Sequence, residues 1–273
     1  MTGVRVIVVN YHLADEVEEV LRSGALSAHD VVLVDNGSQP DRLRHLATQH
    51  GTRLLLLDRN YGFAGAVNRA VATLPPGSHL LLLNPDVRLT TSAVTALVRA
   101  LTDRDLTGVA PTLVSLDGSV QIASGGPVTL SSFCAYFLCL AHVLPRARGI
   151  FYTRRQVRAG LPPAWLGMAC LLLRDGALTQ YGPIPEDELV YAEDVAWGTA
   201  ATTAGARFAV VPDIRVTHSQ GASGASACWR GALVRLARRR LGPMQGWMAA
   251  LAMSAGLAAR RLARRPCAPR GCV

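Results

Sequence analysis

The chain has 273 residues, of which 28 are basic and 19 acidic, for a formal net charge of +9, and half of its residues are hydrophobic. That composition excludes a disordered or collagen-like chain, and the length suits one domain of about 200–250 residues plus an appendage. Every basic residue is Arg; residues 1–213 hold 17 of them with all 19 acids, whereas residues 214–273 hold 11 Arg and no acid, so a uniformly basic nucleic-acid-binding body is excluded.

In chain order, residues 4–10 form a continuous β-branched run of the kind buried on both faces of a parallel sheet. Residues 13–22 follow with Leu13, Val17, Val20 and Leu21 at helical spacing and acids in the first turns, where the helix dipole favours them. Residues 30–35 are the next strand, closed by the turn signal Asn36-Gly37-Ser38. A helix at 43–50, a strand at 53–58, a helix at 63–74, a strand at 79–84 and a helix at 90–101 complete four β-α units. Such a series predicts an open parallel sheet with right-handed crossovers and a ligand beyond the carboxyl ends of its strands. Those ends carry Asn10, Asp35, Asp58 and Asp86.

After residue 105 the pattern loosens, and 119–163 reads as irregular and locally apolar. Strands are expected at 165–173 and 207–211, the second ended by Pro212-Asp213, with an Ala/Thr-rich helix between them. No Cys-x-x-Cys pair occurs among the six cysteines, and no basic leader precedes the first strand, which leads us to expect a reducing, cytoplasmic setting. Neither long uncharged stretch, 118–145 or 241–259, has an apolar core approaching a span of about 20 residues.

Several side chains admit two readings. Pro85 breaks a buried strand and presents Asp86 outside the sheet, where it either holds a hard divalent ion against a diphosphate or caps the turn that begins at Val87. Asp35 either accepts a hydrogen bond from a pyrimidine N–H or makes a plain Asx turn. The Asn60-Tyr61-Gly62 turn permits close backbone approach at a helix N-terminus, though it matches neither common phosphate-loop spacing. Glu193-Asp194 is either a solvated helix start or, between Tyr191 and Trp197, a carboxylate pair with a pKa raised toward the general-base range. His218 is structural unless it meets Asp86 in space. No Gly-x-Ser-x-Gly elbow is present, and His45 and His50 lie on different helix faces, so acyl transfer and zinc hydrolysis drop out.

Seven segments in this order resemble the inverting family two of nucleotide-sugar glycosyltransferases, the group that includes bacterial rhamnosyltransferases. They are Val8-Val9-Asn10-Tyr11, Val34 to Ser38, Asn60 to Asn68, Leu83-Asn84-Pro85-Asp86, Gly167 to Arg174, Tyr191 to Asp194, and Val211-Pro212 to His218. The resemblance spans about residues 4–220. It implies a GT-A fold, an α/β domain with a Rossmann-like, mainly parallel sheet, over residues 1–225, followed by an Arg-rich helical extension over 226–273. It also implies a nucleotide site of Asn10, Tyr11, Asp35, Asn60, Gly62, Asn68 and Asn84. Asp86 and His218 would be ligands of Mg²⁺ or Mn²⁺, and Asp194, beside Glu193, the catalytic base.

The implied reaction moves one sugar from a nucleoside-diphosphate donor, dTDP or UDP favoured, to a saccharide, lipid-linked or small-metabolite acceptor. Ala196 and Ala200 stand where family members usually carry an acid and an Arg, and Gly182 to Glu186 departs from the usual Gly-Gly-Phe-Asp-Glu pattern. The Gln-x-x-Arg-Trp motif of processive members is absent. Two rivals are a sugar nucleotidyltransferase, which needs a Gly-rich, Arg-containing loop after the first strand, and a non-catalytic membrane-surface protein. The second draws on the tail: Trp229, Leu233, Leu236, Trp247 and Leu251 alternate with Arg clusters, and Arg260, Arg261, Arg264 and Arg265 share a helix face suited to an anionic membrane surface. No nucleic-acid partner is expected, and the enzyme is placed in the cytoplasm, peripheral on the inner face of the plasma membrane.

Overall fold

A computed structural model describes residues 3–144, 146–187, 191–219 and 228–262. Its first part follows the β-α alternation: β1 (Gly3–Asn10), α1 (Ala14–Arg22), β2 (Asp30–Asp35), α2 (Pro40–His50), β3 (Arg53–Leu56), α3 (Gly62–Ala72), β4 (Ser78–Leu83), the short β5 (Val87–Arg88) and α4 (Thr91–Asp103). Then come β6 (Gly108–Val114), β7 (Ser124–Gly125), α5 (Leu130–Phe137), α6 (Leu140–Val143), α7 (Arg154–Arg158), β8 (Trp165–Leu166) and β9 (Cys170–Leu173). The chain continues with α8 (Ala177–Gln180), α9 (Glu193–Thr203), β10 (Phe208–His218) and α10 (Cys228–Leu262).

Eight strands form one sheet in the order β3-β2-β1-β4-β9-β6-β10-β5, and β7 pairs with β8 separately. The sheet is mainly parallel; β9 runs antiparallel to both β4 and β6, and β5 antiparallel to β10. Side chains of β1 alternate across it. Val4, Val6 and Val8 pack with α1, α2 and α4, whereas Ile7 and Val9 pack with α3 and α9. A sheet covered on both faces needs its strands apolar on both faces, which is why the first run carries no alternation. Each fully buried Val or Leu contributes about 1.5–3 kcal/mol to this core.

A third cluster lies apart. Phe133, Tyr136 and Phe137 of α5 pack with Leu233, Leu236, Ala249 and Met253 of α10 and with Ala192, Val195 and Ala196 at the start of α9. Gly256 makes this approach close: a Cβ there would sit 2.0 Å from the Phe137 carbonyl oxygen. α10 breaks at Gly242 (φ 78°, ψ 172°), just before Pro243, so it is two helices that turn back on each other, with Gly246 against the Arg238 backbone.

Five expectations change. The strand at 165–173 is two strands, split where Gly167 N–H donates to Ala123 and the Asn84 N–H donates to Ala169. β6 went unread because Gly108 and Pro111 argue against a strand. Beyond Val109 its β9 side has no partner strand, and there a proline is tolerated. β10 does not end at Pro212-Asp213; it passes them through a register shift between Val211 and Arg215 and runs on to His218. The region read as irregular holds α5, whose Thr129/Ser132 capping box and Phe133-Tyr136-Phe137 spacing are legible as a helix in retrospect. In the tail, Arg260 is buried rather than on a solvated basic face: its guanidinium lies 4.8 Å from the Tyr136 ring and donates to the Tyr136 carbonyl at 2.7 Å. The Arg261 side chain, Arg264 and Arg265 fall outside the described residues. Among the described residues, no helix is long and apolar enough to cross a membrane.

Candidate active site

Register alone brings the polar strand ends together. Asn10 pairs with Asp35 across β1 and β2, and Val8 with Leu83 across β1 and β4, so residues 84–86 leave the sheet beside Asn10. Asn10 is fully buried. Its Nδ2 donates to Asp35 Oδ1 at 3.0 Å and to Ser38 Oγ, and its Oδ1 accepts the Leu13 N–H at 2.9 Å. Asp35, also buried, accepts in addition from Ser38 N–H, Ser38 Oγ and the Gln39 N–H. The Asx turn is therefore real: Oδ1 takes Asn10, Ser38 Oγ and the Gln39 N–H, and Oδ2 takes the Ser38 N–H and shares that of Gln39. Tyr11 beside it is exposed, with its ring edge-on to His12.

A second layer of amides carries the geometry onward. Asn36 donates to Asn60 Oδ1 at 2.9 Å and to the Gly62 carbonyl, and accepts from Tyr61 N–H; Asn60 Oδ1 also accepts the Gly62 N–H. Gly37 must be glycine twice over: its φ is +73°, and a Cβ would lie 2.5 Å from the Arg59 carbonyl carbon. The Tyr61 hydroxyl donates to Asp58, holding that exposed carboxyl below its usual range, and its ring stacks 3.7 Å from the Arg69 guanidinium. Asn68 has a bridging role. It donates to the Ile184 carbonyl and Glu186 Oε1 and accepts from Ile184 N–H, while Arg69 reaches Glu186 Oε2 at 3.1 Å. Those two partners, Asn68 first, lower the Glu186 pKa. Thus the departing Gly182 to Glu186 segment is tied firmly to α3. Asn84 sits half-buried at the break after β4, its carbonyl accepting the Val87 N–H.

The antiparallel pairing of β10 with β5 sets His218 opposite Val87, hence beside Asp86. His218 Nε2 lies 3.3 Å from Asp86 Oδ1, both side chains nearly buried. The other ring nitrogen meets Gln121 Oε1 at 2.7 Å. Gln121 uses both protons of its amide on Ser115 Oγ and the His218 carbonyl, which fixes its oxygen toward the imidazole. Nδ1 then carries a proton toward Gln121, and Nε2 is the nitrogen that faces the carboxylate. Two lone-pair donors facing one another suit a divalent cation that takes one carboxylate and an imidazole from the protein and its remaining ligands from phosphate or water. The residues present therefore fit such an ion as a pair. Among the described residues, no group of three or more His, Cys, Asp or Glu side chains is placed to hold a metal by itself. Gln121 escaped sequence reading; nothing in a lone Gln after an Asp-Gly turn marks it.

Asp194 stands in the first turn of α9, half-buried, with Oδ1 accepting the Val195 N–H at 2.7 Å. Burial pushes its carboxyl up to about 6, against the pull of that N–H. Glu193 precedes it in the same turn. The two residues before them, Tyr191 (φ 76°) and Ala192 (φ 69°), are both left-handed without being glycine, the kind of strain that collects at functional sites. α9 packs against β8 and one face of the sheet: Gly198 lies on the Trp165 backbone, and Thr202 donates to the Ala164 carbonyl. Ala196 faces the α5–α10 cluster, and its carbonyl accepts from Arg240. An acid there would enter an apolar contact, which accounts for the departure at this position.

Residues 5–125 match the model of glycosyl transferase family 2. The fold is that of several solved structures: GalNAc-T7 with UDP, GalNAc and Mn²⁺ (TM-score 0.59, 14% identity, 87% of this chain and 48% of that one) and S. aureus TarS 1-349 (0.57, 15%, 95% and 73%). The same S. aureus protein in complex with UDP-GlcNAc aligns at TM-score 0.57 and 15% identity over 94% of this chain and 72% of that one. This chain thus spans about half the length of the GalNAc-T7 chain. Comparison with curated protein sequences returns no significant match. The architecture is of the GT-A type.

Proposed function

We propose that the chain transfers one sugar from a nucleoside-diphosphate sugar, dTDP or UDP favoured, to the hydroxyl of a saccharide, lipid-linked or small-metabolite acceptor, with inversion at the anomeric carbon. The observation that carries this reading is the Asp86–His218 pair at the carboxyl edge of the sheet, with His218 oriented by Gln121. A Mg²⁺ or Mn²⁺ ion held by that pair would supply positive charge to a leaving diphosphate. Asp35, beside Asn10 and Tyr11, is the residue assigned to a uracil or thymine N–H, and Asn60, Gly62, Asn68 and Asn84 to the remaining wall.

Asp194 takes the proton of the acceptor hydroxyl as that oxygen attacks from the face opposite the diphosphate, with Glu193 beside it. A carboxyl near pKa 6 is ionised at neutral pH yet basic enough to accept a proton in the transition state. The rival sugar nucleotidyl transfer is disfavoured at the first loop, where Tyr11 and His12 stand in place of a Gly-rich phosphate cradle.

Thermal denaturation in the presence of UDP, dTDP or GDP sugars with Mg²⁺ or Mn²⁺ tests the reading. A metal-dependent rise with a uridine or thymidine donor, lost in Asp86→Asn, is the expected result. No rise with any of the three sinks it.

A further inference from the structure

The large apolar side chains that are exposed on this molecule are gathered in one place. On α10, Met244, Trp247, Met248 and Leu251 are all exposed, Trp247 to 58% and Leu251 to 64%. At the corner joining α5 to α6, Leu138, Leu140, Val143 and Leu144 are exposed as well, and among the described residues only Tyr11 and Leu116 join them from elsewhere. The two groups belong to elements packed on each other: Gly256 admits the Phe137 carbonyl, and Arg260 donates to Tyr136. The α10 residues recur at intervals of three and four, forming one stripe opposite the buried Gly246, Ala249, Met253 and Gly256. Residues 241–259 contain no charged side chain. This stretch is uncharged all round, with Gln245 and Ser254 its polar exposed side chains, and only one face is covered. A patch of that kind on a soluble domain marks an interaction surface.

The flanking sequence is rich in arginine. Residues 118–174 and 214–273 contain no acid, with 6 and 11 Arg respectively. Exposed Arg238, Arg239 and Arg240 lead into the stripe; Arg238 lies 4.4 Å from the Trp247 ring, and Arg239 reaches Asp187 at 3.6 Å. Trp and Met beside arginine suit the boundary between acyl chains and phosphate headgroups.

We propose that this face docks on an anionic lipid bilayer, with Trp247, Met248 and Leu251 entering the interface and the arginines meeting lipid phosphates. The covered side of the same cluster buries Ala192, Val195 and Ala196. A bilayer docked here therefore lies on the far side of the helix pair that supports the Asp194 turn, and the acceptor class this placement favours is a saccharide carried on a membrane lipid. That last step rests on the glycosyl-transfer reading; the docking itself does not.

Sedimentation of the full chain with vesicles tests it. Vesicles about one-third phosphatidylglycerol should bind at least about tenfold more tightly than pure phosphatidylcholine, and added salt should weaken the binding. Trp247→Ser/Leu251→Ser should lose about tenfold in affinity while keeping its melting temperature, since both side chains are exposed. Equal sedimentation of the wild type and the variant overturns the proposal. So does a dimer in lipid-free solution that the variant dissociates, because a second copy would then cover the stripe. Nucleotide-dependent thermal shifts on the same samples keep the two readings apart. Failed vesicle binding with intact shifts removes the docking alone, and the converse removes the glycosyl-transfer reading alone.

Discussion

The carboxyl edge of β1, β2 and β4 and the cluster of α5 with α10 are built on opposite principles. At the edge, buried amides and carboxylates close on one another: Asn10 with Asp35, Asn36 with Asn60, Gln121 with His218. Each hydrogen bond fixes a direction, so the site is set before any ligand arrives. In the helical cluster most contacts are apolar and much less directional, one face is left open, and shape at Gly256 joins two arginine-to-carbonyl bonds, Arg260 to Tyr136 and Arg240 to Ala196, in setting position. Rigidity near the proposed leaving group and adaptability near the proposed acceptor follow from the two kinds of contact.

The sharpest way to break this comparison is at the point where the two regions meet. Asp194→Asn should lower kcat by about 10²–10⁴-fold with nucleotide binding retained, measured by steady-state transfer and thermal shift. The wild-type rate should fall below about pH 6 and the variant should lose that limb. Stability should move the other way. The folded state holds the Asp194 proton more tightly than the unfolded chain does, so stability declines as pH rises from about 4 to about 6; Asn removes that decline and should gain about 1–3 kcal/mol at pH 7.

Next in size are paired glycine tests by chemical denaturation. Gly37→Ala meets both a positive φ and the Arg59 backbone, and should cost about 2–4 kcal/mol along with donor binding. Gly256→Ala meets only the Phe137 carbonyl; about 1–3 kcal/mol is expected, with donor binding intact. Equal loss of donor binding in both would erase the distinction between the regions. The smallest effect is at Gln121→Leu, which frees the His218 ring to turn. Mn²⁺ affinity read by electron paramagnetic resonance should fall about 10–100-fold without a change in fold.

Legibility divided along the same line. The strand ends at Asn10, Asp35 and Asp86 could be read because β-branched runs and turn residues announce them locally. That His218 meets Asp86 was legible from the family resemblance and not from local rules: it depends on β10 continuing through Pro212-Asp213, where those rules end a strand and only pairing with β6 and β5 carries it on. Asn68 was legible as part of a motif but not as the bridge to Ile184, a partner 116 residues away. In the tail, arginine spacing suggested a basic face at Arg260, whereas the aromatic rings of α5 take that guanidinium inward. Patterns within one element were visible; pairings between distant ones were not.

The two left-handed residues ahead of α9 have a consequence for how the molecule would fail. A backbone held at positive φ at Tyr191 and Ala192 relaxes if its surroundings loosen, and what grips Ala192 is the α5–α10 cluster together with the Ala196 N–H that donates to its carbonyl. Erosion of that cluster, by truncating α10 or by heat, would let the turn unwind and swing the Asp194 carboxyl off its line while the eight-stranded sheet still stood. Inactivation would then run ahead of unfolding, and the C-terminal helix, which supplies no reacting atom, would set the temperature at which turnover stops.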